Sequence, residues 1–156
     1  MNAQQRAHLI ARYKDGYREV VSALEGATDK ELDARPAPGK WTAREIVHHL
    51  ADSEMTSAIR LRLLVAEENA MIRAYDEKEF ATRLHYNRPI ASSLLAFQAA
   101  RLSTGDLLDA MTDADFAKTG THPEHGSYGV ERWLEIYAEH APKHADQIRR
   151  ARASAA

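Results

Sequence analysis

Apolar residues recur at steps of three and four through four long segments of this chain, and nowhere do they alternate singly over a useful length. The first spacing builds one face of an α-helix, whereas strict alternation would have marked a strand. Leu9, Tyr13, Tyr17, Val20 and Leu24 place the first helix from about Gln4 to Gly26. Thr28-Asp29-Lys30-Glu31 has the form of a capping box and predicts a short helix next. Thr42 and Glu45 form another, opening a second long helix whose inward line is Ile46, Leu50, Ser53, Ser57, Leu61 and Leu64. A third helix opens at Pro89, a good first-turn residue, and runs to about Met111. The last covers about Val130 to Ala151.

Two stretches remain outside these helices. The segment from about Glu67 to Pro89 reads as loop with a helical turn near Asp76 to Phe80. It is longer than most helix-to-helix connections, and long connections are often functional. The stretch Thr119 to Gly129 reads as a second loop, whose His122 and His125 offer a second candidate cluster against the commoner reading of solvated loop histidines. Its 156 residues suit a single domain, 1–156, with one core. The expected architecture is therefore all-α: a four-helix bundle with a long crossover between its second and third helices.

The bulk properties exclude several classes of function. Formal net charge is −2, from 21 basic and 23 acidic side chains, so no electrostatic pull toward nucleic acid or an anionic membrane is expected. There is no cysteine, which removes disulfides, thiolate metal ligands and a cysteine nucleophile. No stretch approaches the roughly 20 apolar residues needed to span a bilayer, and the first residues lack a signal-peptide core. A cytoplasmic protein is expected. The eight histidines are the unusual feature.

In the last helix Trp133, Tyr137, His140, Ala141, His144, Ala145 and Ile148 step by three or four, which puts His140 and His144 on the apolar stripe. Their Cβ atoms should stand about 6 Å apart, a relation in which two imidazoles can chelate one ion. His49 borders the inward stripe of the second long helix, while His48 points about 100° away. A third imidazole could thus meet the pair across the core, leaving open coordination positions of the catalytic kind. The competing reading is three hydrogen-bonded core histidines. Spacing alone does not choose, although two buried imidazoles without partners would cost about 1–3 kcal/mol each. Pro142 falls between the pair and removes the hydrogen bond to the Ala138 carbonyl. The bend either widens the helix at the pair or is tolerated at an exposed position.

The stretch Lys40-Trp41-Thr42-Ala43-Arg44-Glu45-Ile46-Val47-His48-His49-Leu50-Ala51-Asp52-Ser53-Glu54 resembles the signature of the DinB/YfiT-like superfamily. Glu67-Glu68-Asn69, Ile72 and Tyr75-Asp76-Glu77 resemble the crossover of its YfiT-like branch. His122-Pro123-Glu124 and Tyr137-Ala138-Glu139-His140, with His144 and Ile148, extend the likeness over nearly the whole chain. The resemblance implies a four-helix bundle, often a homodimer, with a divalent metal on His49, His140 and His144. It also implies an activity found in the family: metal-dependent transfer of a low-molecular-weight thiol to an electrophile. The chain departs from the branch at Glu54, where His is usual, at Glu139, where an aromatic is common, and at Asp146, where a small residue or His is more usual.

Two kinds of chemistry follow as expectations. In thiol transfer, zinc or nickel (with iron, cobalt or manganese as further candidates for imidazole donors) would stabilise a thiolate. Asp52 would orient a ligand imidazole, Arg60 would bind a carboxylate of the thiol cofactor, and Tyr75 is a further candidate for substrate binding. In the alternative, a metal-dependent hydrolase, Glu54 or Glu139 would serve as base. A third possibility, from another class, is a metal-binding or dimerising bundle without catalysis.

Overall fold

A computed structural model describes residues 1–124 and 126–155. His125, one of the two loop histidines, lies outside the described residues. Four long helices carry the fold: α1 (Ala3–Leu24), α3 (Ala43–Ala66), α5 (Ala91–Ala110) and α7 (Val130–Ala153). Between them lie three short helices, α2 (Asp29–Leu32), α4 (Glu77–Arg83) and α6 (Asp113–Phe116), and two strands, β1 (Thr119–His122) and β2 (Gly126–Gly129). The expected four-helix bundle is present. Among the described residues, no helix is long and apolar enough to cross a membrane.

The helix starts follow local chemistry. The side chains of Asn2, Thr28, Thr42 and Thr112 each accept a bond from the backbone amide three residues on, and the backbone amide of each donates in turn to that residue's side-chain oxygen. Those reciprocal bonds satisfy amides that a helix leaves without partners. The third long helix starts later than expected. Pro89 precedes it, and Ile90 holds the cap position without a side-chain bond. Pro142 is buried inside α7, so it does not occupy an exposed kink.

The long helices pack in a closed ring, α1 against α7, α7 against α3, α3 against α5, and α5 against α1. One apolar cluster gathers Tyr13, Leu61, Leu64, Leu108, Trp133 and Leu134; another gathers Val20, Ile46, Leu50, Phe97 and Ile148. At the meeting point of the four helices lies an ion pair. Arg101 is 2% exposed and Glu54 0%, with Nη2 of Arg101 2.7 Å from Oε2 of Glu54. Arg101 also donates to the Tyr13 and Tyr137 carbonyls, and the Tyr13 hydroxyl donates to Glu54. The guanidinium lies 4.2 Å from the Tyr13 ring centroid and 5.1 Å from that of Phe97. Residues from all four long helices thus share one buried charge pair.

The stretch read as a loop near residues 119–129 is instead a β-hairpin, with Thr119 opposite Gly129 and His122 opposite Gly126. Its strands have four residues each and three glycines between them, too little for an alternating pattern to register. The crossover adds to it. The Thr121 amide donates to the Ala70 carbonyl and the Ile72 amide to the Thr121 carbonyl, both at 2.8 Å. Those bonds tether the crossover just before Tyr75. Asp76 then caps α4 by accepting from the Lys78 and Glu79 amides.

Two consequences for stability are measurable. Arg101→Met leaves Glu54 buried without its counter-charge and should cost about 3–5 kcal/mol in chemical denaturation. A loss below about 1 kcal/mol would mean that the pair is not a keystone. Gly120 leaves no room for a side chain, since a Cβ there would stand 2.4 Å from the Ala70 carbonyl oxygen. Gly120→Ala should therefore lower stability by about 1–3 kcal/mol and remove hydrogen-exchange protection at Ile72 and Thr121. Unchanged protection at those two amides would rule out the tether.

Candidate metal centre

His49 reaches the site from α3, and His140 and His144 reach it from α7, one turn apart. One nitrogen from each of the three rings lies within 4.8 Å of the other two. The Nε2 atoms of His49 and His140 are 3.3 Å apart. Two nitrogens held by one tetrahedral ion at roughly 2.0–2.1 Å would stand roughly 3.3–3.4 Å from each other, so this spacing suits a shared ion. Ring centroids are 5.3 Å apart for His49 and His140, 4.8 Å for His49 and His144, and 4.5 Å for His140 and His144. Planes inclined by 56–74° keep the rings from stacking flat.

Hydrogen bonding separates this set from an ordinary core histidine. His48, next in sequence to His49 and fully buried, has Nδ1 2.7 Å from Ser93 Oγ and Nε2 2.9 Å from the Arg88 carbonyl. A carbonyl only accepts, so Nε2 of His48 carries the proton and both its nitrogens are occupied. In His144, Nδ1 faces Gln147 Oε1 at 2.8 Å, which places a proton on Nδ1 and a lone pair on Nε2. His140 Nδ1 is buried and has no hydrogen-bond partner. Burial pushes the His49 pKa down to about 3, with the positive potential of His144 adding to it. It lowers His140 well below the ordinary imidazole range, helped by His144 and His49, and lowers His144 against the opposing bond from Gln147. Three neutral, converging nitrogen donors without thiolate or carboxylate fit a borderline divalent cation such as zinc, nickel, iron or cobalt.

The other expected site residues are placed elsewhere. Asp52 accepts from the Tyr86 hydroxyl at 2.6 Å and not from a histidine of the cluster. Glu54 is spent on Arg101 and Tyr13. Glu139 is clamped by Arg12 through two bonds, the Nη2–Oε2 one at 3.0 Å, and that guanidinium holds its carboxyl below the usual range. None of the three joins the imidazoles. Arg60 and Tyr75 do come alongside. Arg60 donates to the Tyr137 hydroxyl at 3.2 Å and lies 5.7 Å from the Tyr75 ring centroid, while the Tyr137 ring lies 5.7 Å from His140. Burial pushes the Tyr75 phenol up to about 12.

Three residues escaped the sequence reading. Trp41 packs on His49 with centroids 4.7 Å apart. Gln147 sits three positions after His144, a helical spacing that could have revealed it. Glu77, with Trp41 and Gln147, lines a cavity of about 610 Å³ next to the cluster, together with Arg35, Lys40 and Lys78. Arg35 is paired with Glu45 at 2.7 Å. Lys40 and Lys78 form no ion pair among the described residues. Nearby protein atoms partly desolvate the Glu77 carboxyl and raise it, against the pull of Arg60, although the residue as a whole is exposed.

The sequence profile of the DinB superfamily matches residues 12–148. The chain belongs to that superfamily. It is 41% identical over 139 residues to a protein of Oceanobacillus iheyensis, covering 89% of this chain and 81% of the relative. A protein of Bacillus mycoides is 32% identical over 139 residues, covering 89% and 80%. Both relatives carry the provisional name of metal-dependent hydrolase. Among solved structures, YfiT from Bacillus subtilis superimposes with a TM-score of 0.89 at 32% identity, covering 95% of this chain and 86% of that one. YfiT is described as a metal-dependent hydrolase, also provisionally, with an unusual four-helix bundle topology. The superfamily assignment and the bundle inferred from the sequence hold.

The depressed imidazoles set a pH dependence for the metal-free protein. An unfolded histidine takes up a proton near pH 6.5, while native His49 refuses it until about pH 3. Stability is therefore fully present above pH 6.5 and is lost as pH falls toward 3. Each imidazole contributes at most about 1.4 kcal/mol per pH unit. Chelator-treated protein should show a falling unfolding midpoint between pH 7 and 5, with a shallower fall in His49→Leu. Equal slopes in the two proteins would show that His49 protonates freely in the native state.

Proposed function

We propose that this chain is a metal-dependent enzyme in which His49, His140 and His144 hold a divalent cation, and that it transfers a low-molecular-weight thiol to an electrophilic carbon. The convergence of three neutral nitrogens within 4.8 Å carries the reading. A cation held there supplies Lewis acidity, lowering the pKa of a nucleophile beside it. The rest falls to the protein. Trp41 covers one side of His49 and keeps water from it. Gln147 fixes the His144 tautomer that offers Nε2. Lys40 and Lys78 at the cavity supply positive charge for an anionic co-substrate, as a small thiol bearing carboxylates would be. Glu77, exposed at the cavity and partly desolvated there, is suited to accept the proton that the nucleophile releases.

Hydrolysis is the second reading, and one observation favours it. The relatives' provisional names point that way. Glu77, which lines the cavity, would then take the proton of a water made acidic by the cation. In either case Glu77 replaces Glu54 and Glu139 as the candidate base, because those two carboxylates are held by arginines.

An assay separates the readings. Metal-loaded protein incubated with monochlorobimane and a panel of thiols should form conjugate, and His49→Ala or chelation should lower the rate about 100-fold or more. Elemental analysis of the same samples should show the metal lost in His49→Ala. Conjugation that survives metal removal overturns the transfer reading. Ester or amide turnover without added thiol would establish hydrolysis in its place.

A further inference from the structure

Arg60 carries its positive charge into the wall beside the histidines and, among the described residues, forms no ion pair there. Its bonds go to neutral acceptors: Nη1 to the Tyr137 hydroxyl at 3.2 Å and Nη2 to the Arg73 carbonyl at 2.7 Å. Nε is buried without any hydrogen-bond partner. Arg6 and Arg152 also leave a buried Nε without a partner, but Asp113 and Glu31 neutralise them at 2.6 Å and 3.1 Å. Glu77 is near enough for its electrostatic potential to reach Arg60, yet the two form no ion pair among the described residues. A desolvated charged donor left without an acceptor costs more than a neutral one, so an unmet donor points to a missing acceptor.

The surroundings say what that acceptor is. Tyr137 joins Arg60 to the cluster, since its hydroxyl takes the Arg60 bond and its ring borders His140. Tyr75 faces the guanidinium from the crossover, and the Ser53 hydroxyl, one turn beyond His49, neighbours both phenols. A guanidinium edge offers two parallel N–H groups that match two coplanar oxygens. One cation with Glu77 close by suits a singly charged group better than a dianion such as phosphate.

We propose that Arg60 binds a carboxylate of the electrophilic substrate, with Tyr75 and Tyr137 completing a polar rim that holds the rest of that molecule toward the histidines. The identity of the carboxylate's owner rests on the proposed function. The recognition itself does not require the metal.

Benzoate, a planar monocarboxylate, and its neutral isostere benzamide serve as probes, titrated into the full chain and followed by NMR. Benzoate should bind at least about 10-fold more tightly than benzamide, and Arg60→Gln should abolish that preference. Arg60→Lys keeps the charge but loses the fork and should weaken benzoate about threefold or more. Tyr75→Phe, which leaves the Arg60 bonds intact, keeps the test decisive should either Arg60 variant fold poorly; it should weaken benzoate a few-fold through loss of the rim hydroxyl. Equal binding of the two probes by the wild type overturns the proposal. So does benzoate binding in Arg60→Gln within about twofold of wild type. In His49→Ala the benzoate preference should persist, so a failed metal site and a failed carboxylate site give different results.

Discussion

Arg101 brings a guanidinium to the one place where α1, α3, α5 and α7 all meet, and the register of the bundle follows from satisfying it. Its carboxylate partner Glu54 is five residues after His49 on α3, and the Tyr137 carbonyl that it bonds is three residues before His140 on α7. A one-turn slip of either helix would move its histidine by about 5 Å and strip the charge of a partner in an apolar core. The same contacts that make the slip expensive therefore hold the three imidazoles in reach of one another. Gly16 shows how tightly this is drawn, because a Cβ there would lie 2.5 Å from Arg101 Nη1 and 2.8 Å from the Ala141 Cβ.

Two adjacent histidines illustrate what distinguishes a structural imidazole from a candidate ligand. His48 and His49 are both buried and neutral, and burial lowers both. His48 has a hydroxyl on one nitrogen and a carbonyl on the other, which leaves no lone pair free for an ion. His49 spends Nε2 on another imidazole nitrogen, a poor hydrogen-bond arrangement unless one of the pair is protonated on that atom. Three imidazoles facing each other satisfy their inward atoms better through a shared cation than through one another. Burial alone did not separate the two kinds of histidine; the inventory of donors and acceptors did.

The four long helices and their caps were legible because a 3.6-residue period sustained over twenty or more residues has few rivals. The capping boxes at Thr28 and Thr42 marked helix starts closely. His140 and His144 were legible for the same reason, since helical spacing fixes relative position within one element. What escaped depended on contacts distant in sequence. The hairpin strands at 119–122 and 126–129 have no pattern of their own, and the two backbone bonds that tie them to Ala70 and Ile72 come from fifty residues away. Glu54 looked like a site carboxylate in sequence, and only the packing of α5 against α3 revealed Arg101 as its partner. Glu77 falls in the helical turn expected near Asp76 to Phe80, and nothing local says that this turn folds back beside Trp41.

The division between regular and irregular structure is also a division of labour. The converging imidazole nitrogens come from α3 and α7, whose relative position is set by the buried charge pair and the apolar core. Tyr75 and Glu77 come from the crossover, held by two backbone bonds to Thr121 and by the Asp76 cap. These are contacts of different strength. A core of interlocking helices resists substitution, whereas a tethered loop can change its side chains without disturbing the bundle. Substitutions at residues 73–78 should then alter which molecule is accepted while leaving the three imidazoles where they are. The bundle thus fixes where the three imidazoles converge, and the crossover fixes which side chains stand beside them.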